Sequence, residues 1–436
     1  MKKNLLLLVA LLGVQFLFAQ ETKKIELLAV AEGNFGGTNG DVFTVSNASG
    51  EMITDGPLFQ NANSASTGFN VLQDFEIVGD KAIFVSNASG FRVVIAEYPS
   101  LTAIETFTSM GSPASVVGAG DNFAYVSFSN PVSLRQIDLT NNTITQITDT
   151  ENLVTGSSKF MAYGNGYFYV ALGNSILKVD PETNTTVSKF ALNVGSITGL
   201  QFDNATQSLW ALGKVSGVSA LQEVNTEDDG LEEAIILTGV NNASQLRLGN
   251  HKLYFLSGIN VHAYDIENPS IPTSAIYTST LPNTYFFAYG KAFQVDPLSG
   301  DFVIGNASGF TGNSAYEIID GTTYEQLVSG TVTGCIGVNE FILKTAEATL
   351  GVSNPDADRF TFYPNPASDV VNFHNAYENN YSVVLYNQLG AELRTIKSNG
   401  ADCKVNISDL PTGVYYARLQ SANSKATKVK KIVVSH

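Results

Sequence analysis

Chemistry that depends on imidazole, thiolate or clustered carboxylates has few starting points in this sequence. Only four of the 436 residues are histidine (His251, His262, His374 and His436), and no two of them stand at zinc-ligand spacing. His251 and His262 lie close together, beside one strand and inside the next, where a satisfied structural role is the expectation. Cys335 and Cys403 lie far apart and are expected not to pair. Neither has a neighbouring base in sequence that would make it a nucleophile. The run Glu227-Asp228-Asp229-Gly230, followed by Glu232 and Glu233, lacks the alternating ligands of a calcium loop and reads as a solvated turn. Among the Asn-Ala-Ser triplets, those at Asn47, Asn87 and Asn306 match a glycosylation sequon but read as loop chemistry. No catalytic residue, metal site or cofactor is assigned.

The elements that could position any site repeat along the chain. A short apolar strand, usually with an aromatic near its centre, appears at Ala29-Val30-Ala31, Phe84-Val85-Ser86, Tyr125-Val126-Ser127, Tyr169-Val170-Ala171, Trp210-Ala211-Leu212, Tyr254-Phe255-Leu256 and Val303-Ile304-Gly305. The interval is roughly 45 residues. After each comes a second strand ending in a mostly acidic or amide turn, at Ser46, Glu97, Asp138, Asp180, Asn225, Asp265 and Asp320. Asp and Asn favour such turns because their side chains bond nearby backbone amides. Seven units, each with room for about four strands, predict a seven-bladed β-propeller. The first unit opens on its aromatic-type strand, so the inner strand missing there is expected from Cys335 to Leu343, closing the ring with both ends of the chain.

Composition agrees with an all-β chain and narrows the partners. Charged residues are 15% of the total and hydrophobic ones 44%, with 26 Phe and 18 Tyr. The net charge of −16 argues against nucleic acid, whose phosphates need Lys and Arg. The charge is uneven. Arg359 to His436 holds 9 basic and 5 acidic residues and the leader only Lys2 and Lys3, which leaves 13 basic and 35 acidic residues between them. Lys2 and Lys3 precede the apolar run Leu5 to Val14, as in a secretory signal peptide, with cleavage expected near Ala19 or Gln20. No Cys follows that run, so no lipoprotein signal is read. The expected order is a signal peptide (1–20), a propeller (21–345), a linker (346–358) and a small C-terminal β-sandwich (359–436).

Two family resemblances follow from motifs. Ala31-Glu32-Gly33-Asn34-Phe35-Gly36 with Asn39-Gly40 resembles the opening of the DUF5074 family, and the repeat as a whole is similar to YncE-like propellers. That resemblance implies a surface module. Relatives include proteins that capture corrinoids beside a TonB-dependent outer-membrane receptor. The tail carries Tyr363-Pro364-Asn365-Pro366-Ala367, then Leu410-Pro411-Thr412-Gly413-Val414-Tyr415, then Lys428-Val429-Lys430-Lys431-Ile432-Val433-Val434. It resembles the type A sorting domain of the type IX secretion system of Bacteroidetes. This implies recognition by the type IX machinery and export to the cell surface or beyond, with removal of the tail.

A binding surface is expected on the ring face formed by the loops after each aromatic strand. These loops are short in units four and six (Gly173-Asn174 and Gly258-Ile259-Asn260) and longer in units seven, one, two and three. The longer ones form a contiguous arc offering Asn306 and Phe310, Glu32, Asn34 and Phe35, Asn87 and Phe91, and Phe128 and Asn130. Exposed aromatics among amides suit a planar or amphipathic ligand, whereas the same phenylalanines could instead pack between blades. The reading is a non-enzymatic, monomeric binding module for a corrinoid or other small nutrient. Two alternatives stand beside it: a propeller enzyme of lactonase or lyase type, and a scaffold or adhesin binding protein or glycan.

Overall fold

The structure, a computed structural model, describes residues 23–47, 51–64, 68–88, 90, 92–282, 286–309, 311–346, 360–375, 381–387, 392–398, 400, 402–421 and 427–435. The expected signal peptide, most of the expected linker, Phe91 and Phe310 lie outside them. The chain divides into two compact units, Met1–Ala348 and Thr349–His436. The described residues are almost entirely strands and turns, with one short helix at Leu58–Ala62, and none of their helices is long and apolar enough to cross a membrane.

The first unit is a series of antiparallel sheets, numbered here in chain order. Sheet 1 runs Val338–Ala346, Lys24–Ala31, Asp41–Ser46, Ile53–Asp55. Six more follow along the chain. Their first strands are Leu72–Val78, Ser112–Ala119, Met161–Gly164, Ser196–Asp203, Ser244–Gly249 and, in sheet 7, Phe293–Val295. The first strands touch in cyclic order, with that of sheet 7 against that of sheet 1. The aromatic strand is the second of its sheet in each of sheets 2 to 6, for example Lys81–Ser86 and Phe123–Asn130.

The aromatic repeat exists because adjacent sheets need filling. Tyr125 of sheet 3 stacks on Phe168 of sheet 4 at 4.3 Å, and Trp210 of sheet 5 meets Tyr264 of sheet 6 at 5.9 Å. Sheets twist, so the gap between neighbours widens outward and large rings fill it. The acidic turns also form. Asp138 Oδ1 accepts from the Thr140 and Asn141 amides, Asp265 Oδ1 from Glu267 and Asn268, and Asp320 Oδ1 from Thr322 and Thr323.

The two ends of the unit do meet. Val338–Ala346 pairs antiparallel with Lys24–Ala31, placing Leu343 opposite Leu27 and Phe341 opposite Ala29. This corrects the expected boundary at Cys335, which lies on Gln326–Ile336, the outermost strand of sheet 7. Cys335 and Cys403 are both free and buried. Lys23 reinforces the seam, its ammonium 2.9 Å from Asp301 and 2.6 Å from Asp320 on sheet 7.

The second unit has two sheets around one core. Phe360–Tyr363, Val370–Asn375 and Asp402–Asn406 form one; Glu392–Lys397, Tyr381–Tyr386, Gly413–Ser421 and Thr427–Val434 form the other. Val371, Phe373, Val383, Leu385 and Ile432 fill the space between. The Tyr363-Pro364-Asn365-Pro366 motif clamps the last strand. Asn365 Oδ1 accepts from the Val433 amide at 2.7 Å, and Ala367 bonds Val433 and Ser435 through its backbone.

Candidate functional site

On the face where the second strands end, the turn from Ala31 to Gly40 is tightly built. The Asn34 amide donates to Asn39 Oδ1 at 2.9 Å, and Asn39 Nδ2 donates to Asn34 Oδ1 at 2.7 Å. The Gly36 amide reaches Asn70 Oδ1 at 3.0 Å. Gly33 and Gly36 have φ near +79° and +78°, a region open mainly to glycine, and a Cβ at Gly33 would meet the Gly40 nitrogen at 2.5 Å. The apolar side chain this rigid turn presents is Phe35, which is 88% exposed.

The other residues of the expected arc have mixed fates. Asn34 and Asn87 are half-buried and Asn130 is exposed at the end of its strand. Phe128 is a correction: it is fully buried between sheets 2 and 3, with the Arg135 guanidinium 4.5 Å over its ring. It belongs to the inter-sheet packing and offers nothing to a ligand. Asn306 is also buried, its Nδ2 donating to the Pro282 carbonyl, and so supports a neighbouring loop. Glu32 is buried at the top of the inner strands, where it accepts from Gln73 Nε2 at 2.8 Å and bonds the Tyr289 hydroxyl. Burial raises its pKa, against the lowering effect of those two bonds. The short loop of sheet 6 is less bland than expected, for Gly258 borders a 400 Å³ hollow lined by Gln245, Phe286, Phe287 and Tyr289.

A second feature has no counterpart in the expected site. A cavity of about 370 Å³ takes at least one residue from the first strand of every sheet: Glu340, Glu76, Val117, Met161, Leu200, Arg247 and Gln294. It therefore lies where those strands converge. Beside it Lys291 is held by Asp74, with Nζ 2.7 and 2.8 Å from the two carboxylate oxygens, and Glu340 stands 3.7 Å away. Asp74 also accepts from the Ser115 hydroxyl and, at 2.8 Å, from the Val116 amide.

The electrostatics of this cluster follow from burial and mutual contact. Burial would raise the pKa of Asp74, but Lys291 and its hydrogen bonds hold it below the usual carboxylate range. Burial would lower that of Lys291, but Asp74, Glu340 and Glu76 outweigh it and hold it above. Glu340 is pushed well above its ordinary value by burial and then by Asp74, against the lowering effect of Lys291. Burial lifts Glu76 to about 7 and drops Arg247 to about 10.

Family comparison matches residues 27–333 to a domain of unknown function, DUF5074. The chain belongs to the DUF5074 family. In this DUF5074 protein residues 361–435 match a secretion system C-terminal sorting domain. The protein is therefore directed through the type IX secretion machinery and is secreted to the cell surface. No curated protein is a significant match. A solved quinonprotein alcohol dehydrogenase-like protein of Bacteroides thetaiotaomicron is similar in fold, with a TM-score of 0.54, 10% identity, and 70% of this chain and 75% of that one covered. PorZ, a surface component of the type IX system of Porphyromonas gingivalis, aligns with a TM-score of 0.46 and 14% identity over 91% of this chain and 63% of that one. The first of these likenesses, with the series of antiparallel sheets, shows an all-β, propeller-type fold.

Sequence reasoning missed this cluster because its members, Asp74 and Glu76 on one strand and Arg247, Lys291 and Glu340 elsewhere, are scattered along the chain. The signal was present but diluted: an ionisable residue inside an otherwise apolar strand, as in Leu72-Gln73-Asp74-Phe75-Glu76-Ile77-Val78 or Phe341 preceded by Glu340. A charge in a strand interior is expensive unless partnered, so each one implied a partner elsewhere.

Proposed function

We propose that the protein is a non-enzymatic binding module of the cell surface whose seven sheets are the blades of one closed β-propeller. Its rim takes a small planar or amphipathic nutrient, such as a corrinoid, and presents it to a TonB-dependent outer-membrane receptor. The observation that carries this reading is Phe35, an almost fully exposed phenylalanine on a turn fixed by side-chain amides and by glycines at positive φ. An exposed aromatic on a rigid support loses little entropy on contact, which is how binding hot spots work. Asn34, Asn39 and Asn70 brace the turn that carries it with oriented amides.

The test is whether the purified chain retains cobalamin after desalting and turns red. Phe35→Ala should weaken that binding at least tenfold, while substitutions in the short loop Gly173 to Ser175 leave it unchanged. Colourless protein, or equal effects from both places, would remove the corrinoid reading.

One observation favours the enzyme alternative, namely the convergence of Asp74, Glu76, Glu340 and Lys291 at one cavity. A buried carboxylate poised near neutrality can act as a general base. Turnover of a lactone panel that vanishes in Glu76→Gln, with the fold intact, would replace the binding reading by the enzymatic one.

A further inference from the structure

We propose that the cavity between the first strands is a second, separate binding site, for a small monocarboxylate with an apolar body whose carboxylate sits on Arg247. It does not rest on the rim reading above, and either can fail without the other.

The cavity, at about 370 Å³, has the size of a small-molecule site. It has two unlike walls. Sheets 6, 7, 1 and 2 contribute Arg247, Lys291, Glu340 and Glu76. Sheets 4 and 5 contribute Phe160, Leu200 and Phe202, with Val117 of sheet 3. The charged groups gather mainly on one side and the aromatic ones on the other, with Lys159 and Gln201 among the latter, so a molecule filling the space is served best if it is amphipathic.

The charges on the polar wall are unequally satisfied. Lys291 is matched by Asp74 and Glu340. Glu340, 3.7 Å from Lys291, has its pKa raised well above the ordinary value by burial and by Asp74, which weakens its opposition to an anion. Arg247 is different. Its Nη1 donates to the Leu246 carbonyl at 2.8 Å, its Nε is buried without an acceptor, and it makes no ion pair among the described residues. A buried cation with spare donors is costly until an anion reaches it. A guanidinium meets a carboxylate with two parallel hydrogen bonds, a geometry that Nε can complete. Glu76 is the other carboxyl on this wall, and burial raises its pKa to about 7. Lys159, which also lines the cavity, adds a second positive group.

Isothermal titration of the full chain tests this with octanoate, 4-phenylbutyrate and indole-3-acetate, each beside its uncharged amide, at pH 6. At least one acid should bind with Kd below about 1 mM, and its amide at least tenfold more weakly. Arg247→Gln should erase that preference. Arg247→Lys, which keeps the charge but loses the fork, should fall between. Phe202→Leu should weaken acid and amide alike, and Phe35→Ala should change neither. Should Arg247→Gln fail to fold, Arg247→Lys decides, because binding equal to the parent would overturn the proposal. It is also overturned if no acid binds, if acid and amide bind equally, or if Phe35→Ala abolishes binding and so moves the site to the rim.

Discussion

Lys291 and Asp74 lie 217 positions apart in the chain, yet the ammonium sits 2.7 and 2.8 Å from the two carboxylate oxygens. Lys291 leads into the first strand of sheet 7 and Asp74 lies on the first strand of sheet 2, with Glu340 of sheet 1 beside both. The pair therefore spans the place where the two ends of the first unit come together. Removing one partner leaves a buried charge unmatched. Lys291→Met should destabilise the chain by about 3–5 kcal/mol, read from urea denaturation. The double variant Lys291→Met with Asp74→Asn should recover much of that loss. A single variant as stable as the parent would mean the pair is not sealed from water.

Closure itself is testable at Phe341, which is fully buried among Ala29, Val303 and Val338. Phe341→Ala should cost about 3–5 kcal/mol. Deleting Val338 to Leu343 should do more, because Lys24–Ala31 would keep an unpaired edge. Exposed edges recruit other chains, so concentration-dependent aggregation is the expected readout by light scattering.

The pH dependence has a definite sign. Glu76 has its folded pKa raised to about 7 from 4.5. The folded state thus binds the proton more tightly, and the stability so gained is full below pH 4.5 and lost as pH rises through 7. The shift corresponds to about 3 kcal/mol at most. Asp320, lowered to about 2 by hydrogen bonds from Lys23 and the Thr322 and Thr323 amides despite burial, acts oppositely. Its contribution is present above pH 3.8 and lost as pH falls through 2. Glu76→Gln should flatten the decline between pH 5 and 7 in thermal melts. An unchanged slope would show that Glu76 stays solvated.

The C-terminal clamp links sequence motif to delivery. Asn365→Ala removes the acceptor of the Val433 amide and loosens the last strand from the Tyr363-Pro364 segment. A chain lacking residues 360–436 should stay in the periplasm, as judged by cell fractionation. Asn365→Ala should reduce surface delivery to an intermediate level. Surface display of the truncated chain would contradict the role of the sorting domain.

The sequence by itself determined what is written in local pattern. Period-two apolar strands, aromatic centres and Asp or Asn turns specify strand after strand, since alternation and turn chemistry act over a few residues. The C-terminal sandwich was legible as a whole from its motifs. Only the tertiary structure decided which phenylalanines face solvent. Phe35 and Phe128 both border the same kind of turn, but glycines push one outward while the next sheet and Arg135 cover the other. The charged cavity was likewise beyond local reading. Asp74, Arg247, Lys291 and Glu340 come from four separate sheets, and their meeting depends on how many sheets the ring holds and where its ends join. Pairwise electrostatics act through space, and no spacing along the chain encodes a distance that exists only once the ring has closed.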